Sequence, residues 1–375
     1  MLTHKRYATK RFQGAGRRKR TRNRNRLIML LCVCISCWGV VLVFLFSQIS
    51  TTKETHQVSL IPQADSGAPP VFGTYARLVS NTTEVVYALP ATKPLRGIAL
   101  LLHACTHNAL KFFSPSPTCE QCVGLSEELR ISRILLNKGY AILAVTSQNR
   151  QSGCWTNPDM SKIRTALEEF QALIPEKVSS VIAIGASSGG GFATEVAANG
   201  NSKAALVMVM SLGPVLRERL MKMGDNMPLV YLAPMPHDIR TTSKAKTDYE
   251  EMTKILGDSL RVVFDEATCV SLPVSPDFLN ERVPHMRRGM AAKIVKALAE
   301  AKHLDSNLFF TRDPTRSNWR DVLKESCGDS CLENQSLEPG LSPLAKALHR
   351  AWAFHEYCSE VIEKALDFFE KSMLR

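Results

Sequence analysis

From Val71 onward, short apolar runs alternate with longer stretches of helical periodicity, the pattern of a βαβ architecture. The predicted strands are 97–105 (GIALLLHAC), 140–147 (YAILAVTS), 178–187 (VSSVIAIGAS), 204–213 (AALVMVMSLG), 228–236 (PLVYLAPMP) and 260–267 (LRVVFDEA). They are apolar throughout rather than alternating, which suits parallel strands buried on both faces. Helical spacing falls between them at 125–139, 161–174, 190–200 and 243–258, with Gly139 and Gly200 where C-terminal stops are expected. The expected fold is therefore α/β, a mostly parallel sheet with helices on both faces. One segment breaks the rhythm. Leu27 to Phe46 has 20 residues and no charge, enough at 1.5 Å per residue for roughly 30 Å of bilayer core. Its flanks complete a simple plan: a tail over 1–26, a transmembrane anchor over 27–47, a polar Pro- and Gly-containing stalk over 48–70, and a folded domain over 71–375. No internal repeat is visible.

Charge sharpens that plan. The 375 residues are 45% hydrophobic and 22% charged, which excludes wholesale disorder, and carry a net +12. Residues 1–26 hold 11 Lys/Arg and no Asp or Glu, leaving 36 basic against 35 acidic residues elsewhere. The basicity belongs to the tail, so no nucleic-acid partner is implied. Cations before the span and none just after it put the N-terminus in the cytosol. The expectation is a single-pass type II protein of the ER/Golgi system or cell surface, with its domain lumenal or extracellular. A span longer than a signal peptide's core, with no A-x-A site after Phe46, favours an uncleaved anchor. Asn81 and Asn334 begin N-x-[ST] glycosylation triplets on that side. Of 11 cysteines, three lie in the span; the other eight (Cys105, Cys119, Cys122, Cys154, Cys269, Cys327, Cys331, Cys358) form an even set where disulfides persist. Their spacing lacks the His partners of a zinc site, so no metal is expected; the connectivity is not readable.

The sharpest chemical signal is Gly185-Ala186-Ser187-Ser188-Gly189, a G-x-S-x-G with an apolar strand leading in and a helical stretch leading out. So tight a turn needs small neighbours around Ser187 and leaves its hydroxyl exposed at a helix N-terminus. On these residues the chain resembles the α/β-hydrolase superfamily over roughly 71–375. The resemblance implies a nucleophile, acid and histidine in that order on successive strand ends. Ser187 is then the nucleophile, and Asp238, closing PLVYLAPMPHD, is the acid in preference to Asp265 or Glu266 on the next strand. His355, before the closing helical stretch, is favoured over His285, which precedes MRRGMAAKIVKALAEA. Residues at about 303–341 then form an insertion. The oxyanion hole implied is the N–H of Ser188 with one from the His103-Ala104-Cys105-Thr106-His107 loop, and His103 is expected to line the site. The family usually has His-Gly there; Ala104 can substitute only where φ stays negative.

That constellation describes a membrane-anchored serine hydrolase, esterase- or lipase-like, cleaving a small-molecule, lipid or glycan ester or another acyl bond without a cofactor. Two alternatives belong to other classes. One is a catalytically silent hydrolase fold acting as a binding ectodomain. The other is a lumenal glycosyltransferase, suggested by the tail–anchor–stalk plan and opposed by the absence of a D-x-D motif.

Overall fold

The computed structural model describes residues 68–374 apart from 80, 175, 179, 329–331, 333, 334 and 339. The basic tail, the apolar span and most of the stalk lie outside the described residues, as do Cys331 and Asn334. Among the described residues no helix is long and apolar enough to cross a membrane.

Eight strands form one sheet: β1 (Thr74–Leu78), β2 (Thr83–Ala88), β3 (Gly97–Leu102), β4 (Tyr140–Val145), β5 (Val181–Ala186), β6 (Ala204–Met208), β7 (Leu229–Ala233) and β8 (Val262–Phe264). Their spatial order is β1-β2-β4-β3-β5-β6-β7-β8. β1 and β2 pair antiparallel, β2 joins β4 antiparallel, and every other pairing is parallel. This is the strand order and mixed edge of the α/β-hydrolase fold. The six strands expected from apolar runs are all present; β1 and β2 are additions. Their residues are partly exposed, so polar side chains interrupt the apolar signal.

Helices α1 (Ser126–Asn137), α2 (Asp159–Leu173), α3 (Ser188–Ala198), α4 (Gly213–Lys222) and α5 (Ile239–Leu256) connect the strands. After β8 come α6 (Pro276–Arg282), α7 (Arg288–Glu300), α8 (Trp319–Cys327), α9 (Pro343–Trp352) and the closing α10 (Val361–Met373). Alternation along the strands divides the core. Ala99, Leu101, Ile182 and Ile184 meet Leu129 and Leu135 of α1 and Ile362, Leu366 and Phe369 of α10 on one face. Ile98, Leu100, Val181 and Ala183 meet Ile163, Phe170, Phe192, Val196 and Met252 on the other. Both faces are dry, which is why these strands read as unbroken apolar runs.

A third cluster stands apart. Phe278, Leu279, Met290, Ile294, Leu298, Trp319, Leu323, Leu344 and Leu348 bury one another. The segment expected as an insertion over 303–341 is thus part of a wider helical unit that already begins with α6. The amphipathic faces of α7 and α9 are spent on this cluster rather than on the sheet.

Cys105–Cys154, Cys119–Cys122 and Cys269–Cys358 form disulfides, and Cys327 is also disulfide-bonded. Asn81 is exposed in the β1–β2 turn, accessible as a glycosylation acceptor requires.

Candidate active site

β3 lies between β4 and β5, so the chain's direction of travel across the sheet reverses there. Loops leaving neighbouring strands at such a point part and open a crevice at the strands' C-terminal ends. The loop after β3 (103–108) and the turn after β5 (Ser187) border it.

Ser187 is the N-cap of α3, with φ 53° and ψ −123°. A residue other than glycine rarely adopts this conformation, and it persists only where surroundings enforce it. Here Ser187 N–H donates to Met208 O at 2.9 Å and Ser187 O accepts from Gly191 N–H at 3.1 Å. The flanking glycines have a steric cause. A Cβ on Gly185 would sit 2.3 Å from the Gly189 backbone, and one on Gly189 would sit 2.1 Å from Leu102 O. Strand-to-helix contact this close leaves no room for a side chain.

The structure brings Ser187, His355 and Asp238 together. Ser187 Oγ–H donates to His355 Nε2 at 2.9 Å, and His355 Nδ1–H donates to Asp238 Oδ2 at 2.6 Å. The carboxylate on Nδ1 fixes the tautomer that leaves Nε2 as acceptor. Asp238 does two jobs: it caps α5, accepting from Thr241 N–H at 3.3 Å through Oδ1, and it holds the imidazole through Oδ2. Burial opposes its charge, but hydrogen bonds from His355 and Thr241 outweigh that and hold its pKa below the usual carboxylate value.

His355 sits in the loop between α9 and α10, not within a helix, and its side chain is 40% exposed. Ala353 and His355 both have positive φ, 57° and 43°. That loop is fastened on several sides. Cys358 is bonded to Cys269, and Tyr357 O–H donates to Leu102 O at 3.1 Å. Glu127 of α1 accepts from Ser359 N–H at 2.8 Å and pairs with Arg282 of α6 at 2.5 Å. Arg282 also pairs with Glu360, which Arg350 contacts at 2.9 Å. Burial works against the Glu360 charge, yet Arg350 and Arg282 pull its pKa down to about 2. His237 stacks on Trp352 with ring centres 3.7 Å apart, and its backbone N–H donates to Ala353 O at 3.3 Å. The acid's turn and the histidine's loop are thereby one unit.

His285, the rival histidine, is exposed in the turn between α6 and α7 with φ 59°. Those helices serve the separate helical cluster, and His285 makes no contact with Ser187.

In the loop expected to supply the second oxyanion donor, Ala104 keeps the negative φ that an alanine there requires, and the left-handed residue is Thr106 (φ 65°), packed against Gly153. Thr106 N–H donates to Ser152 O and His107 N–H to Ala104 O. The Cys105 N–H has no protein acceptor among the described residues, and Ser188, opening α3, has a first-turn N–H with no intrahelical partner. Cys105 is tied to Cys154 by its disulfide, and the next residue's N–H, Trp155, donates to Ser188 Oγ at 2.8 Å.

His103 does not line the site. It is fully buried beneath the loop, accepting Ser147 N–H at Nε2 (2.9 Å) and donating from Nδ1 to Ala104 O (2.8 Å). Burial lowers its pKa to about 3, so it is a neutral brace. Trp155 completes the brace, donating from Nε1 to His103 O at 2.8 Å and stacking on Phe192. Neither Trp155 nor Tyr357 carried a signal in the sequence; a lone aromatic after a cysteine or glutamate fits no pattern.

Ser187 and His355 open into a cavity of about 260 Å³, also lined by Cys105, His107, Lys346 and Glu356. Lys346 and Glu356 pair at 2.9 Å, and His107 Nδ1 lies 3.1 Å from Glu128 Oε1, outside hydrogen-bond geometry. A larger cavity of about 750 Å³ lies at the opposite, N-terminal ends of the strands, by Lys203, Leu229 and Leu260, where β6, β7 and β8 begin. Ligands of such sheets bind at the other end of the strands, which favours the smaller cavity.

No family model matches the chain, and no curated protein matches it. Solved structures are similar to it. One is a cold-adapted esterase from an Arctic intertidal metagenomic library, 15% identical over 52% of this chain and 83% of that one, with TM-score 0.35. Another is the acylaminoacyl peptidase of Pyrococcus horikoshii, 15% identical over 53% of this chain and 37% of that one, TM-score 0.38. The esterase domain of a Rhodothermus marinus protein is 15% identical over 52% and 88%, TM-score 0.35. At these values the likeness carries no argument about activity; the fold stands on its strand order, and the site on its distances.

Proposed function

We propose that this chain is a membrane-anchored serine hydrolase that cleaves an ester or other acyl bond through Ser187, His355 and Asp238, with its domain on the lumenal or outer side of the membrane. The observation that carries this reading is the hydrogen-bond chain Ser187–His355–Asp238, 2.9 and 2.6 Å, built on a serine held in a costly backbone conformation. A silent binding fold has no need of that conformation.

In the reaction, His355 Nε2 takes the Ser187 proton as Oγ attacks the carbonyl carbon. The carbonyl oxygen becomes an oxyanion facing the N–H groups of Ser188 and Cys105, at the positive end of the α3 dipole. Asp238 stabilises the imidazolium and keeps its orientation. As the intermediate collapses, the imidazolium gives its proton to the leaving alcohol, and an acyl-serine remains. Water then attacks that acyl group, giving its proton to His355, and Ser187 leaves with the proton returned.

Steady-state hydrolysis of p-nitrophenyl acetate by the folded domain tests this. Ser187→Ala and His355→Ala should each lower kcat by ~10³ or more, and Asp238→Asn by a comparable factor through the wrong tautomer. His285→Ala should leave kcat within about two-fold. Loss of activity in His285→Ala with retention in His355→Ala would overturn the assignment.

A further inference from the structure

A third cavity, of about 240 Å³, shares Thr106 and His107 with the one that holds Ser187. Beyond those two it is lined by Asn108, Thr146, Ser147, Asn149, Arg150 and Gln151, closing on Gly153, and the His107 imidazole is the one ring in its wall. Such a wall is unusual, since small-molecule sites are mostly apolar with a few polar groups.

The wall is built, not a chance surface dip. Cys105–Cys154 ties its two loops together, Thr106 N–H donates to Ser152 O at 2.9 Å, and Gly153 N–H donates to Asn149 O at 2.7 Å. Some of its polar groups are already used: Thr146 Oγ1 donates to Glu84 at 2.7 Å, and Arg150 contacts the same carboxylate at 3.3 Å. Others are not. Ser147 is 1% exposed and its Oγ has no protein partner, and Asn108 Oδ1 is buried without one. Buried polar atoms are normally satisfied, so a ligand that pairs with these gains over one that leaves them bare.

Its chemistry selects the ligand. The lining offers hydroxyls and carboxamides, groups that both donate and accept, and its single cation, Arg150, already lies against Glu84. An acyl chain finds mostly polar surface there, and an anion finds only a guanidinium shared with a carboxylate. A neutral polyhydroxylated group, with hydroxyls that likewise donate and accept, matches on every count.

Resting on the hydrolase reading above, we propose that this cavity is the subsite for the alcohol portion of the substrate, and that the substrate is an acyl ester of a sugar or similar polyol. The polyol lies against Ser147, Asn108 and Gln151, and Thr106 and His107 mark the passage to Ser187. His355 delivers the leaving-group proton to the polyol oxygen.

The test compares kcat/KM for a mono-O-acetyl hexose with that for ethyl acetate, which has the same acyl group and no hydroxyls. The expected preference is at least ~10²-fold for the hexose ester, as sites built to bind hydroxyls discriminate strongly against analogues lacking them. Ser147→Ala and Gln151→Ala should each reduce that ratio by about five-fold or more. The ratio is independent of how much variant folds. Equal kcat/KM for the two esters, or a ratio untouched in both variants, overturns the subsite. Fluorophosphonate labelling of Ser187 is read in parallel. A labelled enzyme without the preference sinks the subsite alone, whereas no labelling sinks the hydrolase reading and the subsite with it.

Discussion

Adding one methyl group at Gly189 should disable the site without touching any reacting side chain. A Cβ there falls 2.1 Å from Leu102 O and 2.5 Å from His103 O, both rigid backbone atoms at the end of β3. Ordinary contact begins at 3.4 Å, so β3 and the first turn of α3 must part by about 1.3 Å, and a misplacement of ~1 Å can cost ~10²-fold in rate. The displaced groups are those proposed above to hold the oxyanion: Ser188 N–H on the helix and Cys105 N–H on the loop. Gly191→Ala, two residues on, is the internal control. Its Cβ meets only Met210, at 3.6 Å. Replacing a helical glycine with alanine where there is room stabilises by about 0.4–1 kcal/mol. The assay is kcat/KM on p-nitrophenyl acetate together with thermal unfolding of both variants. Gly189→Ala should lose ~10²-fold in activity and melt lower, and Gly191→Ala should melt as high as wild type or higher. Wild-type turnover in Gly189→Ala would refute the claim that the G-x-S-x-G glycines are dictated by strand–helix contact.

Further outcomes are expected. Arg282→Met leaves Glu127 buried and unmatched, and should cost about 3–5 kcal/mol in urea unfolding; a loss under 1 kcal/mol would remove the ionic cluster as the fastening of the His355 loop. His103 and His349 have pKa values lowered by burial to about 3 and about 4, so the fold keeps them neutral while the unfolded chain protonates them below about 6.5. Their stabilisation is complete above that pH and is lost as pH falls, by up to about 1.4 kcal/mol per unit for each. Urea midpoints should drop steadily from pH 6.5 to 4.5, and a flat profile would contradict their burial. Cys105→Ala/Cys154→Ala should lower kcat more than it raises KM, because the freed loop carries the proposed oxyanion donor; an unchanged kcat would place that donor elsewhere. In sealed microsomes protease should remove only the basic tail, and digestion of the whole domain would refute the anchored topology.

The parts of this architecture written in apolar runs were the easiest to read. β3 to β7 are buried on both faces, so every residue reports the same environment, while β1 and β2 are only partly buried and their pattern dissolves among Arg77, Thr83 and Glu84. Ser187 was legible because its turn demands glycine at fixed offsets. His355 was harder, because the break between α9 and α10 falls on Ala353 and His355, non-glycine residues with positive φ that nothing in the sequence marks. Helical periodicity runs almost unbroken across it. The extent of the helical unit was misjudged for a related reason: α7 is amphipathic enough to pass for the sheet's last helix, and only three-dimensional contact with Trp319 and Leu348 shows where its apolar face goes. His103 looked like a site residue from its place in the loop; its burial, visible only in the fold, makes it a brace.

The central claim is that Ser187 is a nucleophile activated by His355. It is tested most directly by the rate of fluorophosphonate labelling of the folded domain, with the modified residue identified by mass spectrometry of the peptide. The account predicts a single adduct on Ser187, absent in Ser187→Ala and slowed by ~10³ or more in His355→Ala. An adduct on another residue, no adduct at all, or wild-type labelling in His355→Ala would contradict it.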